Sequence, residues 1–186
     1  MKIVQLKITL KGSMPAIWRR VQVEENVSMR KLHEILNLAM GWDISHLHMF
    51  KLGDTTIGNV EYDEMDEMLD DKKIKLSEII KDAHTFEYLY DFGDGWVHVV
   101  HVEDLTEAKP KEKYPLCIAG KNACPPEDVG GLGGYENFKE IMSDPNHPEH
   151  EETKSWYGGD WDVTAFDHRK VNKKAAFKSK RLVATY

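Results

Sequence analysis

The feature that most constrains this chain is a pair of alternating runs around a glycine turn. Phe86, Tyr88 and Tyr90 alternate with Glu87 and Leu89, and Val97, Val99 and His101 alternate with Trp96, His98, Val100 and Val102. Between them stands Asp91-Phe92-Gly93-Asp94-Gly95. A period of two sends successive side chains to opposite faces, and a short Gly/Asp segment between two such runs predicts a β-hairpin. Trp96, His98, Val100 and Val102 then share one face of the second strand, and His101 points the other way.

The opening of the chain has the same period. Val4, Leu6, Ile8 and Leu10 alternate with polar residues, Gly12-Ser13-Met14-Pro15 interrupts, and Ile17, Arg19, Val21 and Val23 resume, so an antiparallel pair is expected within the first 24 residues. Ser28 is placed to cap a helix whose apolar positions Leu32, Ile35, Leu36 and Ala39 run to Gly41. Residues 46–52 and 55–60 read as strands across Gly53-Asp54, residues 62–71 as an acidic loop or exposed helix, and residues 76–80 as one or two helical turns. Residues 109–134 carry Pro110, Pro115, Pro125, Pro126 and a glycine cluster, too many breakers for a long helix or a central strand, and read as a structured loop. A short helix is expected over 135–142, an exposed polar turn over 147–152, and a closing segment over 163–186 with an Ala-rich piece at 174–177. Together these predict an α+β fold, an antiparallel or mixed sheet of short strands and hairpins with a few helices packed on it and a long Pro/Gly-rich structured loop.

With 186 residues, the chain suits one domain, expected over 1–167, followed by a basic C-terminal tail over 168–186. That length buries roughly 70% of the unfolded surface without staples. No apolar run approaches the ~18–20 residues of a membrane span, and the mixed start Met1-Lys2-Ile3-Val4-Gln5-Leu6 has no signal-peptide pattern, so the cytoplasm is the expected location and no membrane partner is expected. Cys117 and Cys124 are expected to be a reduced pair, and they lack the further Cys or His of a structural zinc motif. The net charge of −7 argues against a surface built to coat nucleic acid. Charge is unevenly placed: residues 61–71 hold seven acids, whereas 168–181 hold seven Lys or Arg and no acid.

The residue types that carry chemistry concentrate in three places. In the hairpin, Asp91 and Asp94 are placed either to accept turn N–H bonds or, with His98, to act as an acid/base pair or metal ligands. His46 and His48, on one strand face, suit a divalent transition ion if a third ligand comes from Asp91, Asp94 or His98. Cys124-Pro125-Pro126-Glu127-Asp128 lacks the second Cys and upstream His-x-Glu of zinc deaminases, and the glycines that follow lack the Lys of a phosphate loop. His147-x-x-His150 is interrupted by Pro148 and suits a turn, while Trp156, Tyr157, Trp161 and Phe166 read as anchors for the C-terminal segment.

Several blocks occur in a specific order: Ile17-Trp18-Arg19-Arg20, Leu32-His33, Met40-Gly41-Trp42, His46-Leu47-His48, Tyr90-Asp91-Phe92-Gly93-Asp94-x-Trp96-x-His98, Ala123-Cys124-Pro125-Pro126-Glu127-Asp128-Val129-Gly130-Gly131 and Gly134-Tyr135. In this the chain closely resembles the plasmid pRiA4b ORF-3-like family from its N-terminus to about Asp167. The resemblance implies a single α+β domain, shared by proteins some of which stand beside insertion-sequence transposition genes, and supplies no mechanism.

The leading expectation is a binding or accessory module, linked to mobile-element or nucleic-acid processing. Its aromatic and acidic groove would involve Tyr90, Asp91, Asp94, Trp96, His98, Cys124, Glu127 and Asp128 and hold a protein, peptide or small-molecule ligand. No complete catalytic set is visible. The alternatives are a metal-dependent hydrolase or nuclease and a DNA-binding accessory protein. The first would use a divalent metal on His46, His48, Asp91, Asp94 and His98, with Glu127 or Asp128 as base. The second would use Arg19, Arg20 and the basic tail.

Overall fold

The alternation at the N-terminus becomes β1 (Lys2–Leu10) and β2 (Trp18–Glu24), paired antiparallel with Val4 opposite Val23 and Leu6 opposite Val21. The structure, a computed structural model, describes residues 1–62 and 67–173. Ser28 caps α1 (Met29–Met40), its side chain accepting from the Lys31 N–H, and the Gly41 N–H closes the other end on the Asn37 carbonyl. The chain then adds β3 (His48–Leu52), β4 (Thr55–Gly58), β5 (Leu69–Asp70), α2 (Leu76–Ile79), β6 (Thr85–Tyr90) and β7 (Trp96–Glu107). It closes with β8 (Leu116–Lys121), α3 (Gly131–Ser143), α4 (His150–Tyr157) and α5 (His168–Lys173).

The eight strands among the described residues join one sheet in the order β5-β4-β3-β6-β7-β1-β2-β8, antiparallel except for the β4/β5 edge pair. The fold is therefore α+β with a mixed sheet, as the sequence predicts. The hairpin β6–β7 lies near the middle of the sheet, with Tyr88 opposite His98 and Tyr90 opposite Trp96. Its inner face carries Phe86, Tyr88, Tyr90, Trp96, His98 and Val100, all buried. Against that face lies α1. Every residue of it but Lys31 is buried, so this helix is enclosed by the core and does not float on it.

Burial all round forces polar groups of α1 to find partners inside the protein, and Arg19 on β2 supplies them at its C-terminal end. The Arg19 guanidinium, 1% exposed, donates from Nε to the Ala39 carbonyl at 3.0 Å and from Nη2 to that of Met40 at 3.1 Å. Its Nη1 donates to the carbonyls of Trp18 and Lys121 at 2.9 Å each. Phe166 lies over the same guanidinium at 3.9 Å. The ring approaches Gly120 so closely that a methyl group there would meet it at 2.5 Å. One cation thus joins helix end, edge strand and C-terminal segment.

Several local expectations change. Inside the breaker-rich 109–134 region, residues of β8 pair with β2, and the strand is tolerated there because it is an edge. The helix expected over 135–142 begins earlier, at Gly131. The polar 147–152 stretch is the entry to α4, with His150 buried and its Nδ1 3.0 Å from the Ile141 carbonyl. Trp161 and Phe166 pack on the core, whereas Trp156 and Tyr157 are largely exposed. In the acidic stretch, residues 63–66 lie outside the described residues, and Asp71 is fully buried. The segment from His168 opens as α5, where the Asn172 amide both accepts from the Cys117 N–H and donates to its carbonyl at 2.8 Å. The Ala-rich piece at 174–177 lies outside the described residues. No disulfide joins Cys117 and Cys124, and no helix among the described residues is long and apolar enough to cross a membrane.

The role of Arg19 is testable by urea unfolding. A lysine keeps the charge but cannot span four carbonyls, so Arg19→Lys is expected to lower stability by about 2–4 kcal/mol. Arg20→Lys, at the partly exposed Glu103 pair, is expected to cost less than about 1 kcal/mol. Equal losses in the two variants would contradict this account.

Candidate functional site

The β6–β7 turn is built by its two aspartates. Asp91 adopts φ 57° and its Oδ1 accepts from the N–H groups of Gly93 at 2.9 Å and Asp94 at 3.3 Å, while its carbonyl accepts from Gly95 at 2.7 Å. Asp94 faces outward instead, its Oδ2 accepting from the Gly130 N–H at 3.1 Å. At Gly131, φ 66°, a methyl group would come within 2.5 Å of the Asp94 carbonyl, so turn and loop approach as closely as glycine permits. The hairpin tip and the Pro/Gly-rich loop are thereby docked.

The α1 exit fixes the loop from the other side. Trp42 Nε1 donates to the Pro125 carbonyl at 3.0 Å, and the Asp43 N–H donates to Glu127 Oε1 at 3.1 Å. Tyr90, at the end of β6, donates its hydroxyl to the same oxygen at 3.0 Å and accepts from the Ser45 N–H at 3.2 Å. These bonds bring His46 among three carboxylates. Its Nε2 lies 3.1 Å from Asp128 Oδ1, 3.8 Å from Asp91 Oδ2 and 4.0 Å from Glu127 Oε2. One ligating atom each from His46, Asp91 and Asp128 fall within 4.8 Å of one another. Asp91 is buried, His46 half-buried and Asp128 exposed, so the cluster opens toward solvent on the Asp128 side.

The electrostatics follow from this crowding. Burial pushes the Glu127 carboxyl up to about 7, and the nearby Asp43 carboxylate adds to the rise against the opposing hydrogen bonds. Asp43 itself is held below the usual carboxylate range, first by its Ser45 hydrogen bond. Burial also raises the Tyr90 phenol, which keeps it a hydrogen-bond donor at neutral pH.

Comparison with known proteins shows what shares this architecture. The family model described as plasmid pRiA4b ORF-3-like protein matches residues 2–170. The chain belongs to the pRiA4b ORF-3-like family. A relative in Sinorhizobium fredii (strain NBRC 101917 / NGR234), described as uncharacterized protein y4hQ, is 40% identical over 174 residues, 92% of this chain and 89% of its own length. A crystal structure of a protein of unknown function, MM3350 from Methanosarcina mazei Go1, is similar with a TM-score of 0.83 and 39% identity, covering 91% of this chain and 97% of that one.

Of the residues singled out from the sequence of this pRiA4b ORF-3-like protein, His46, Tyr90, Asp91, Glu127 and Asp128 come together. Asp94 stands beside them with one carboxylate oxygen committed to Gly130. Trp96 and His98 are fully buried behind the site, and Cys124 packs beside Gly41, where a methyl group would lie 3.2 Å from its Cβ. The set His46, His48, Asp94 and His98 is not assembled as a ligand sphere. His98 sits between the rings of Trp42 and Tyr88, with Nδ1 3.2 Å from the Tyr88 carbonyl. The shared strand face of His46 and His48 is absent because Ile44 takes φ 70° and β3 begins only at His48. Trp42 and Asp43 are not among the residues expected at the site; their signal is position, directly after the glycine that ends α1.

His48 belongs instead to a sealed cluster. Its Nε2 meets Asp71 Oδ2 at 2.8 Å, the same oxygen accepts from Arg30 Nε at 2.7 Å, and its ring stacks on His33 at 3.5 Å. His33 Nδ1 in turn lies 2.7 Å from the Tyr88 hydroxyl. Burial is the first cause that pushes His33, His48 and His98 below the usual imidazole range, His98 to about 4. Unfolding below about pH 6.5 lets all three take up protons that the native state excludes. Glu127 acts in the opposite sense, since its raised native value makes the folded state hold the extra proton between about 4.5 and 7. Three imidazoles outweigh one carboxyl. Stability is therefore expected to fall as pH drops from 7 to 5, with net proton uptake on unfolding. Urea titrations at pH 7.5, 6 and 5 check it, and a flat profile would refute it.

Proposed function

We propose that the protein is a binding module that receives a positively charged group in the acidic groove where the β6–β7 turn meets the 123–135 loop, and that it works in the cytoplasm as an accessory to other macromolecules. The observation that carries this reading is uncompensated charge. Asp91 and Asp128, with the partly protonated Glu127 carboxyl beside them, meet around one imidazole, and among the described residues no Lys or Arg lies within ion-pair distance of the three. Negative charges gathered in a partly desolvated cleft attract a cation and repel a phosphate.

The groove continues past Asp128 as a cleft of about 420 Å³ between α3 and α4, lined by Phe138, Glu149, Glu152, Thr153 and Trp156. Trp156 is 54% exposed, and an indole face beside two acids suits an ammonium or guanidinium group. Lys154, on the same helix, is engaged by Asp160 at 2.6 Å.

Direct DNA binding through Arg19 and Arg20 is the reading this arrangement disfavours. Arg19 is buried among carbonyls, and Arg20 donates to both Glu103 oxygens at 2.6 and 2.8 Å. Any part in mobile-element processing then runs through a protein partner.

Calorimetric titration with spermine, a Lys-rich peptide and duplex DNA tests the proposal. The cationic probes are expected to bind with an affinity that weakens as salt rises, and Glu127→Gln with Asp128→Asn is expected to weaken them about tenfold or more. Tighter binding of duplex DNA than of spermine would overturn it.

A further inference from the structure

We propose that His46, Asp91 and Asp128 form a binding site for one first-row divalent transition-metal ion such as Mn²⁺ or Zn²⁺, with Glu127 at its inner edge. This deepens the reading of the groove as a place for positive charge and rests on it. Three observations carry the site.

The first is distance. Two ligands ~2.1 Å from a common ion stand about 3.0–3.4 Å apart at adjacent positions of an octahedron or tetrahedron. His46 Nε2 and Asp128 Oδ1, 3.1 Å apart, already have that spacing. Asp91 Oδ2 lies 3.8 Å from the same nitrogen, and one ligating atom of each of the three residues lies within 4.8 Å of the others, so small side-chain adjustments close the shell. Glu127 Oε2, at 4.0 Å, is within reach as a fourth ligand or as an acceptor for a metal-bound water.

The second is the state of Asp91. Its residue is 7% exposed, Oδ1 is committed to the Gly93 and Asp94 N–H groups, and Oδ2 receives no hydrogen bond. A buried carboxylate normally gathers partners for both oxygens, because desolvation without them costs several kcal/mol. Here one oxygen is held by the turn, and the other, with no hydrogen bond, faces His46 Nε2 at 3.8 Å. Glu127 Oε2 is likewise out of water and without a hydrogen bond.

The third is ligand type. One imidazole nitrogen with two or three carboxylate oxygens suits Mn²⁺, Fe²⁺ or Zn²⁺ better than the all-oxygen shells preferred by Ca²⁺ and Mg²⁺ or the sulfur ligands of Cu⁺. The exposed Asp128 side leaves coordination positions open to the groove. A ligand oxygen or a water can therefore complete the shell.

The test is titration of the full chain, purified without an affinity tag and freed of metal, with MnCl₂, ZnCl₂ and MgCl₂, read by calorimetry and by the electron paramagnetic resonance of bound Mn²⁺. Mn²⁺ and Zn²⁺ are expected to bind one per chain, at least tenfold more tightly than Mg²⁺. Affinity is expected to fall about a hundredfold in His46→Ala and in Asp91→Asn, and not at all in His147→Ala, whose imidazole is outside the cluster and accepts from the Glu149 N–H before α4. His46 is a half-exposed loop residue, and Asp91→Asn keeps a side-chain oxygen to hold the turn, so both variants are expected to fold, with circular dichroism as the check. Absence of Mn²⁺ and Zn²⁺ binding up to millimolar concentration overturns the site, as does binding that survives in both variants. Spermine binding without metal binding would overturn the metal site and leave the groove reading standing. A preference for duplex DNA would overturn the reading beneath it.

Discussion

The Arg19 guanidinium is the interaction on which the rest of the molecule depends. A fully enclosed helix ends with carbonyls that water cannot reach, and only a cation with several fixed donors can satisfy two of them while holding neighbouring strands. Arg19 does so for Ala39 and Met40 and reaches Lys121 with a third bond. The positive charge also lies at the negative end of the α1 dipole. Once that end is fixed, Gly41 turns the chain, and Trp42 and Asp43 fall where they bind the Pro125 carbonyl and the Glu127 carboxyl. The groove wall is thus positioned by a residue that has no contact with the His46 cluster among its bonds.

Two residues apart in sequence, His46 and His48 live in opposite environments. His48 is held in the core between Asp71 and the His33 ring, with burial suppressing its charge. His46 stands at an opening, surrounded by acids. The backbone separates them: Ile44 turns into the left-handed region before the strand starts. Sealed and open clusters share the sheet's aromatic face through Tyr88 and Tyr90, whose hydroxyls serve His33 on one side and Glu127 on the other. That division assigns rigidity to the interior and chemistry to the rim.

Much of the fold is legible in the sequence because its signals are local. Alternation marks β1, β2, β6 and β7, Ser28 and Gly41 bracket α1, and the aspartates of the turn show their backbone-capping role in their spacing. Edge strand β8 is hidden because its pairing with β2 comes from tertiary structure, in a stretch whose prolines and glycines read as loop. The early start of α3 is hidden by the glycines at 131, 133 and 134, of which Gly131 is required by the close approach of Asp94. In the site, every acid and imidazole that converges is visible, but convergence is not. His46, Asp91 and Asp128 are separated by long stretches of chain, and tertiary contacts join them: the docking of turn on loop and the bonds of the α1 exit to the same loop. Arg19 and Asp71 mislead for a related reason: charge suggests surface, and nothing local announces a buried partner 20 or 41 residues away.

The central position of β7 has a consequence for how the chain reaches this state. β1 pairs with β2 on one side but with β7 on the other, Lys2 lying opposite Glu107. The N-terminal hairpin by itself therefore has two open strand edges, one covered by β7 and the other by β8. The β1–β7 junction, from Lys2 with Glu107 onward, and the β2–β8 junction, from Trp18 with Lys121 onward, join the most distant parts of the chain, so both carry a large loop-closure cost. The loop that completes the groove follows β8 in sequence and docks on the scaffold that these two junctions close.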